Sequence, residues 1–148
     1  MRRIGITGGI GSGKSVVSRL LRIMGYSVYD TDSEAKRLME SSLEVVQKLS
    51  ECFGRDIYHN GRLNRGLLSS RVFGESDKIV LLNSIVHPVV RFDFYRWSES
   101  LNEEICFVES AILYESRFDE LVDEVWTVTA PEELRIGRVR QRSGLTEE

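Results

Sequence analysis

The sequence is poor in the features that mark disulfide-rich or membrane-spanning proteins. It has only two cysteines and two prolines in 148 residues. The cysteines lack C-x-x-C spacing and lie among apolar neighbours, so we expect Cys52 and Cys106 to be buried, reduced thiols. No run approaches the roughly 20 apolar residues that a membrane-spanning helix needs. These absences argue against a disulfide framework and a membrane partner, and they predict a cytoplasmic protein.

An excess of one charge is also missing. The chain carries 20 basic and 23 acidic residues, for a net charge of −3. This balance gives no electrostatic reason to expect nucleic acid as a partner. A hydrophobic fraction of 41% and a charged fraction of 29% are typical of a folded domain. With no internal repeat or low-complexity tract, the length predicts a single domain over residues 1–148.

The N-terminal pattern predicts a β-α-β unit. Residues 3–7 form a short apolar run that suits a buried strand, and helical spacing begins at Lys14. The apolar face of this helix is predicted to contain Val17, Leu20, Leu21 and Met24. Gly25 is placed to end the helix in a left-handed conformation, and residues 27–29 read as the next strand. A β-α-β unit implies a parallel sheet.

The middle of the chain changes to helical patterns. The predicted helices are Glu34–Glu40, Leu43–Phe53, Arg65–Val72, Lys78–Val86 and Val89–Ser100. Residues 105–108 and 125–128 resume the buried-strand pattern, and Pro131 is suited to open a further helix. The sequence therefore predicts a three-layer α/β fold with a parallel sheet, a helical insertion over 33–103 and the start of a lid over 131–148.

Residues 8–15 match the phosphate-loop pattern GxxxxGK[ST] in full. Glycines let backbone N–H groups curl around phosphate oxygens, and the following helix points its positive end at the same anion. The predicted ligands of ATP are Gly9, Gly11, Ser12, Gly13, Lys14, Ser15 and Val16. Lys14 supplies charge at the β- and γ-phosphates, and the Ser15 hydroxyl is the predicted ligand of Mg²⁺. A chance glycine turn is the alternative, but the flanking strand and helix are the context that the motif requires.

Further segments resemble the dephospho-CoA kinase family in order along the chain. They are Ile6–Ser15, Asp30-Thr31-Asp32, Gly61–Arg65, Arg71-Val72-Phe73, Leu82–Pro88 and Ile112–Ser116. The resemblance implies a P-loop kinase that uses ATP and Mg²⁺ to phosphorylate the ribose 3′-hydroxyl of dephospho-CoA. Ala111 departs from the proline usual there. The resemblance also implies a further helix and strand beyond Glu148, so we expect a chain that stops inside its lid, with impaired activity.

The resemblance assigns Asp32 as the catalytic carboxylate and implies that Arg138 and Arg142 reach the ATP phosphates. Position alone leaves Asp30 or Asp32 open as a helix cap, since aspartate is common at that position. It also leaves the arginines of the last helix open as a solvated basic face, and we expect Arg135 and Arg140 to be surface residues.

The predicted acceptor ligands are Thr7, Asp32, Arg37, Arg65 and His87. Arg71 is a lesser candidate, and His87 has a structural role as its alternative, because it precedes Pro88 at an expected helix junction. Glu115, after the third strand, is open as a further Mg²⁺ or water ligand or as surface. The rival functions are a kinase of another small acceptor, a nucleotide-binding module without catalysis, and a regulatory ATPase. The sequence leaves the oligomeric state undetermined.

Overall fold

The computed structural model describes residues 1–144, so the last four residues of the predicted lid, 145–148, lie outside the described residues. The chain divides into two compact units. The first, here called the core unit, comprises Met1–Thr31 and the chain from Trp97 onward. The second, here called the helical unit, comprises Asp32–Arg96.

The core unit is built on a parallel sheet of four strands. Numbered in chain order with the two short strands described below, these are β1 (Arg2–Thr7), β2 (Val28–Asp30), β5 (Ile105–Glu109) and β6 (Glu124–Thr127). Their order across the sheet is β2-β5-β1-β6, and each neighbouring pair is parallel. The predicted parallel sheet is confirmed. The carboxyl ends of all four strands consequently meet at one edge, where open α/β sheets bind ligands.

Apolar side chains bury both faces of this sheet. On one face, helix α1 (Lys14–Ile23) packs onto a cluster of Ile4, Ile6, Leu21 and Phe107. Each such side chain contributes about 1.5–3 kcal/mol when fully buried. On the other face the segment after β5 packs closely over β1: a Cβ at Gly5 would lie 2.6 Å from Leu113 Cδ1.

The buried side of α1 differs from the predicted one. Ser18 and Leu21 are buried and Val17 packs against the core cluster, whereas Leu20 and Met24 are 56% and 62% exposed. The polar residue Ser18 thus lies on the buried face of the helix, and the spacing of apolar residues does not indicate its burial. Gly25 ends the helix as predicted, with φ +93°.

The helical unit contains most of α2 to α5 and a small hairpin. Its elements are α2 (Thr31–Ser41), α3 (Leu43–Phe53), β3 (Tyr58–His59), β4 (Arg62–Leu63), α4 (Arg65–Val72) and α5 (Ser76–Ser100). Thr31 and the end of α5 from Trp97 belong to the core unit. The last helix of the core unit is α6 (Glu132–Ser143). None of the helices among residues 1–144 is long and apolar enough to span a membrane.

Helix α5 is continuous where the sequence predicted two helices. It contains Pro88, which removes one backbone donor and was expected to break the helix. The helix continues because Val86, Val90 and Phe94, spaced by four, are all buried on the same side. Burial on both sides of Pro88 outweighs the lost hydrogen bond, and His87 therefore lies within a helix rather than at a junction.

The two cysteines have different environments. Cys106 is buried in β5, as predicted, but Cys52 is exposed. Helix α3 buries a stripe at every fourth residue, Val45, Leu49 and Phe53, and Cys52 lies off that stripe. The prediction of a buried thiol was therefore wrong for Cys52.

Candidate active site

The loop between β1 and α1 has the backbone conformation of an anion-binding turn. Gly11 has φ +73° and Gly13 has φ +97°, values that other residues adopt only with strain. The N–H of Ser12 donates to the carbonyl of Gly9 at 3.1 Å and closes a turn. Helix α1 then begins directly at Lys14, so its positive end faces the ligand side of the loop.

Ser12 carries an unsatisfied buried hydroxyl within this loop. The residue is 6% exposed, and its Oγ has no hydrogen-bond partner among the described residues. A buried polar atom without a partner costs about 1–3 kcal/mol, so such atoms mark places where a ligand or water completes the bonding. The hydroxyl therefore fits a site that receives an oxygen-rich anion.

Lys14 forms a buried ion pair with Glu109. Its Nζ lies 2.8 Å from Glu109 Oε1, and the two side chains are 14% and 8% exposed. Glu109 was not predicted as a site residue because the third strand was expected to end at Val108, whereas β5 continues through Glu109. An acidic residue directly after an apolar strand would have been the signal. This pair places a carboxylate beside the phosphate-loop lysine.

The strand ends around Glu109 form a connected polar edge within the core unit. The hydroxyl of Thr31 donates to the carbonyl of Glu109 at 2.9 Å, and Asp30 is the register partner of Glu109. Thr7 ends β1 and is buried, with its carbonyl accepting from Val128 N–H at 2.8 Å. The loop, the ion pair and these strand ends lie at the same edge of the sheet.

Asp32 occupies the first turn of α2. The helix begins at Thr31, three residues before the predicted start at Glu34, so Asp30 rather than Asp32 precedes the first helical residue. A carboxylate in a first helical turn is stabilised by the helix dipole. Asp32 thus follows the carboxyl end of β2 directly, as the sequence predicted, and the capping alternative now concerns Asp30 alone.

Helix α6 contacts the outer side of the phosphate loop. Arg135 Nε donates to the carbonyl of Ile10 at 3.0 Å, and Arg138 Nη1 donates to the carbonyl of Gly11 at 3.0 Å. Arg135 thus contacts the loop although α6 buries none of its described residues, a contact that the expectation of a surface residue did not include. Its position one turn before Arg138 puts both side chains on the same side of the helix. Arg142 lies exposed in the last turn of α6.

Ser15 and Val16 follow Lys14 in the first turn of α1 and are exposed, Val16 to 69%. The Ser15 hydroxyl is accessible to a ligand, whereas Val16 can offer only its backbone N–H. That N–H already donates to the carbonyl of Gly13 at 3.0 Å. Val16 is consequently a weaker candidate ligand than its neighbours.

The remaining predicted acceptor residues lie in the helical unit, and the arginines are held by acidic neighbours. Arg37 donates to Glu34 and Asp93, and its hydrogen bond to the Glu34 carboxylate is the main cause that raises its pKa. Arg65 forms an ion pair with Glu40 at 3.6 Å and donates to the carbonyl of Lys36 at 3.2 Å. These contacts fix the direction of each guanidinium group, which is what a preorganised binding site requires.

Arg71, the lesser acceptor candidate, joins two parts of the helical unit. Its guanidinium forms two hydrogen bonds to the Asp56 carboxylate and a third to the carbonyl of Phe53. The ion pair is the main cause that lowers the pKa of Asp56. These contacts give Arg71 a structural role, because they hold the end of α3 in place.

His87 is expected to make stability depend on pH. It is half-buried in α5, and burial lowers its pKa below the ordinary value of 6.5. The unfolded chain therefore takes up the proton first, so stability falls as pH drops through 6.5 toward the folded-state pKa. We expect the thermal midpoint of His87→Gln to fall less than that of the wild type between about pH 7.5 and 5.5.

The second histidine, His59, provides the control for this measurement. It is exposed on the β3–β4 hairpin, so His59→Gln controls for the replacement of an imidazole by an amide elsewhere on the chain. Equal falls in the wild type and in His87→Gln would mean that protonation of His87 is not coupled to folding.

Three comparisons with known proteins agree with one another. A family model described as dephospho-CoA kinase matches residues 2–148. A dephospho-CoA kinase of Porphyromonas gingivalis is 47% identical over 148 residues, covering all of this chain and 73% of the relative. The crystal structure of TT1252 from Thermus thermophilus has a TM-score of 0.82 and 37% identity, covering 98% of this chain and 74% of that one. A dephospho-CoA kinase from Campylobacter jejuni, 24% identical with a TM-score of 0.71, covers 99% of this chain and 75% of its own and shares the fold.

Proposed function

The chain belongs to the dephospho-CoA kinase family, and on that basis we propose that it transfers the γ-phosphoryl group of ATP to the ribose 3′-hydroxyl of dephospho-CoA. The products are CoA and ADP, so the reaction is the last step of coenzyme A synthesis. The observation that carries this assignment is the phosphate loop with its buried Lys14–Glu109 pair. The chain spans about three quarters of the length of its relatives, since it covers 73% of the first of them.

ATP fits the loop through the groups already described. The loop amides, the buried Ser12 hydroxyl and Lys14 supply donors for the β- and γ-phosphates. These donors are fixed before the reaction, so they stabilise charge on the transferring group without reorganising. Gly9, Gly11, Gly13 and Val16 contribute through their backbones only.

Magnesium is the metal that these residues fit. The Ser15 hydroxyl and the Glu109 carboxylate are hard oxygen ligands, which Mg²⁺ prefers. Residues 1–144 contain no group of three or more His, Cys, Asp or Glu side chains that could together hold a metal ion. A site made of Ser15 and Glu109 suits a cation that is held by one or two protein oxygens together with substrate phosphates and water. When bound, the ion would neutralise charge between the β- and γ-phosphates.

The catalytic carboxylate in this proposal is Asp32. Its role is to orient the acceptor hydroxyl and to accept its proton during in-line transfer. Arg138 and Arg142 neutralise the ATP phosphates from α6, and their spacing of four residues puts them on one face of that helix. The support for these roles is the family membership together with the position of Asp32 directly after β2.

The helical unit is the proposed site of acceptor recognition. Arg37 and Arg65 are suited to the diphosphate of dephospho-CoA because one guanidinium group can donate two parallel hydrogen bonds to phosphate oxygens. His87 and Thr7 are the other proposed contacts. In this account the insertion predicted over 33–103 supplies the acceptor site, and the enzyme acts in the cytoplasm on a small-molecule substrate, without nucleic acid or membrane.

Glu109→Gln tests the metal assignment. The change removes the charge but keeps a hydrogen-bond acceptor near Lys14, so we expect the Mg²⁺ concentration for half-maximal activity to rise about tenfold. Glu104→Gln, an exposed glutamate before β5, is the matched control. A rise in Glu115→Gln instead of Glu109→Gln would transfer the metal role to Glu115.

A thermal-shift titration tests the acceptor without requiring turnover. A ligand that binds only the folded state raises the unfolding midpoint with its saturation. Dephospho-CoA should raise the midpoint, whereas shikimate should not, and AMP should act only weakly. A shift with a non-hydrolysable ATP analogue alone would favour a nucleotide-binding module without this acceptor.

A further inference from the structure

The peptide group between Ile10 and Gly11 lies at the centre of a tight turn in the phosphate loop. The turn closed by the Ser12–Gly9 hydrogen bond has Ile10 and Gly11 at its centre. Gly11 has φ +73°, the value of the third residue in a type II turn. Type I and type II turns differ by a rotation of this central peptide through about half a revolution. The Ile10–Gly11 peptide is therefore the part of the loop that can turn over most readily.

Arg135 holds this peptide in one orientation. Its Nε donates to the Ile10 carbonyl at 3.0 Å, from the side of the loop that faces α6. A trans peptide is planar, so its N–H points away from its carbonyl. With the Ile10 carbonyl directed at α6, the Gly11 N–H must point to the opposite side of the loop.

Two glycines of the loop make room for this arginine. A Cβ at Gly9 would lie 2.4 Å from Arg135 Nη2, and a Cβ at Gly11 would lie 2.7 Å from the carbonyl oxygen of Arg135. At Gly9 the close atom is the flexible end of the arginine, which could shift, but at Gly11 it is the backbone of α6, so the helix could not take this position over a bulkier residue at Gly11. The glycines thus serve the outer contact with α6 as well as the inner approach of a phosphate.

The next carbonyl of the loop is held in a similar way. Arg138 Nη1 donates to the Gly11 carbonyl at 3.0 Å. The N–H that follows it, on Ser12, is already bonded to Gly9. The two arginines therefore hold different kinds of peptide. Arg138 holds the Gly11–Ser12 peptide, whose N–H is used by the turn, whereas Arg135 holds the Ile10–Gly11 peptide, whose N–H the turn does not use.

We propose that Arg135 is a positioning residue for nucleotide binding, which holds the Ile10–Gly11 peptide so that the Gly11 N–H donates to a phosphate oxygen. The inference rests on the proposed function only in taking the loop as the phosphate site. Arg135 acts through the loop backbone and does not itself contact the nucleotide. Helix α6 thereby contributes to the phosphate site through a hydrogen bond on the side of the loop opposite the phosphate.

Calorimetric titration with ADP tests this role without any chemical step. We expect Arg135→Ala to weaken ADP binding about tenfold, the effect of losing one charge-assisted hydrogen bond. Arg135→Lys keeps the charge but lacks the Nε donor, so it should also bind ADP weakly. Methylguanidinium added to Arg135→Ala should restore part of the affinity. The unfolding midpoint without ligand should stay at the wild-type value in both variants.

The amide nitrogen resonance of Gly11 reports the peptide directly. It should shift in Arg135→Ala and Arg135→Lys but not in Arg140→Ala, the matched change at an exposed arginine of the same helix. If Arg135→Lys binds ADP with full affinity, the positive charge alone explains the effect of Arg135, and the proposal is overturned. Unchanged ADP affinity in Arg135→Ala would overturn it as well.

The same data separate this inference from the proposed function. A wild-type chain that binds ADP more tightly than Arg135→Ala, but phosphorylates no dephospho-CoA, overturns the function and leaves the positioning role. If the wild-type chain phosphorylates dephospho-CoA but binds ADP no better than Arg135→Ala, the positioning role is overturned and the proposed function stands. Absence of ADP binding to the wild type would overturn both.

Discussion

Replacing Lys14 by methionine is expected to lower kcat about 10²–10³-fold and also to destabilise the fold. The rate falls because a fixed positive charge at the transferring phosphoryl group is lost. The fold weakens because Glu109, whose side chain is 8% exposed, is left as a buried charge without its partner. Breaking a fully buried ion pair in this way costs about 3–5 kcal/mol, and we expect less here because the Lys14 side chain is 14% exposed.

The two effects can be separated by a second change. Adding Glu109→Gln removes the stranded charge, so the double variant should recover most of the lost stability, measured by urea unfolding, while kcat stays low. Lys36→Met, an exposed lysine of the helical unit, controls for the loss of one positive charge. Recovery of turnover in the double variant would show that Lys14 serves the fold rather than the reaction.

Asp32→Asn is expected to lower kcat at least about 10²-fold while leaving the affinity for ATP unchanged. The amide cannot accept the proton of the acceptor hydroxyl, but it has nearly the same shape. Asp32 lies inside α2 rather than directly before it, so the change removes no residue from the capping position. Turnover measured with saturating dephospho-CoA, beside ATP binding by calorimetry, gives both quantities.

Asp30→Asn is the matched control for this change. Asp30 lies two residues earlier, at the end of β2, and it directly precedes the helix. We expect its variant to retain most of the activity. Near-normal turnover in Asp32→Asn would remove Asp32 from the reaction, and a large loss in Asp30→Asn alone would transfer the role to that residue.

The sequence predicts most of the core unit because its signals there are local. The phosphate loop is an uninterrupted motif between an apolar strand and a helix, and the parallel sheet follows from the β-α-β pattern. The comparisons confirm the P-loop fold and the family that the ordered motifs indicated. Helices α3 and α4 have the predicted bounds because Ser42 and Asn64 cap their first turns.

The features that the sequence did not predict depend on packing between distant segments. Pro88 lies inside α5 because buried residues on both sides of it keep the helix together. Arg135 looked like one of several exposed arginines, and only the placement of α6 against the loop reveals its bond to Ile10. Glu109 was missed by one residue at a strand end, where boundaries depend on pairing with β1 and β2.

The most direct test of the account is transfer of label from [γ-³²P]ATP to dephospho-CoA, with AMP and shikimate as alternative acceptors. We expect Mg²⁺-dependent label in the 3′-phosphate of CoA, little on the other acceptors, and at least about 10²-fold less label with Lys14→Met. Label on another acceptor, or release of inorganic phosphate alone in the presence of dephospho-CoA, would contradict it.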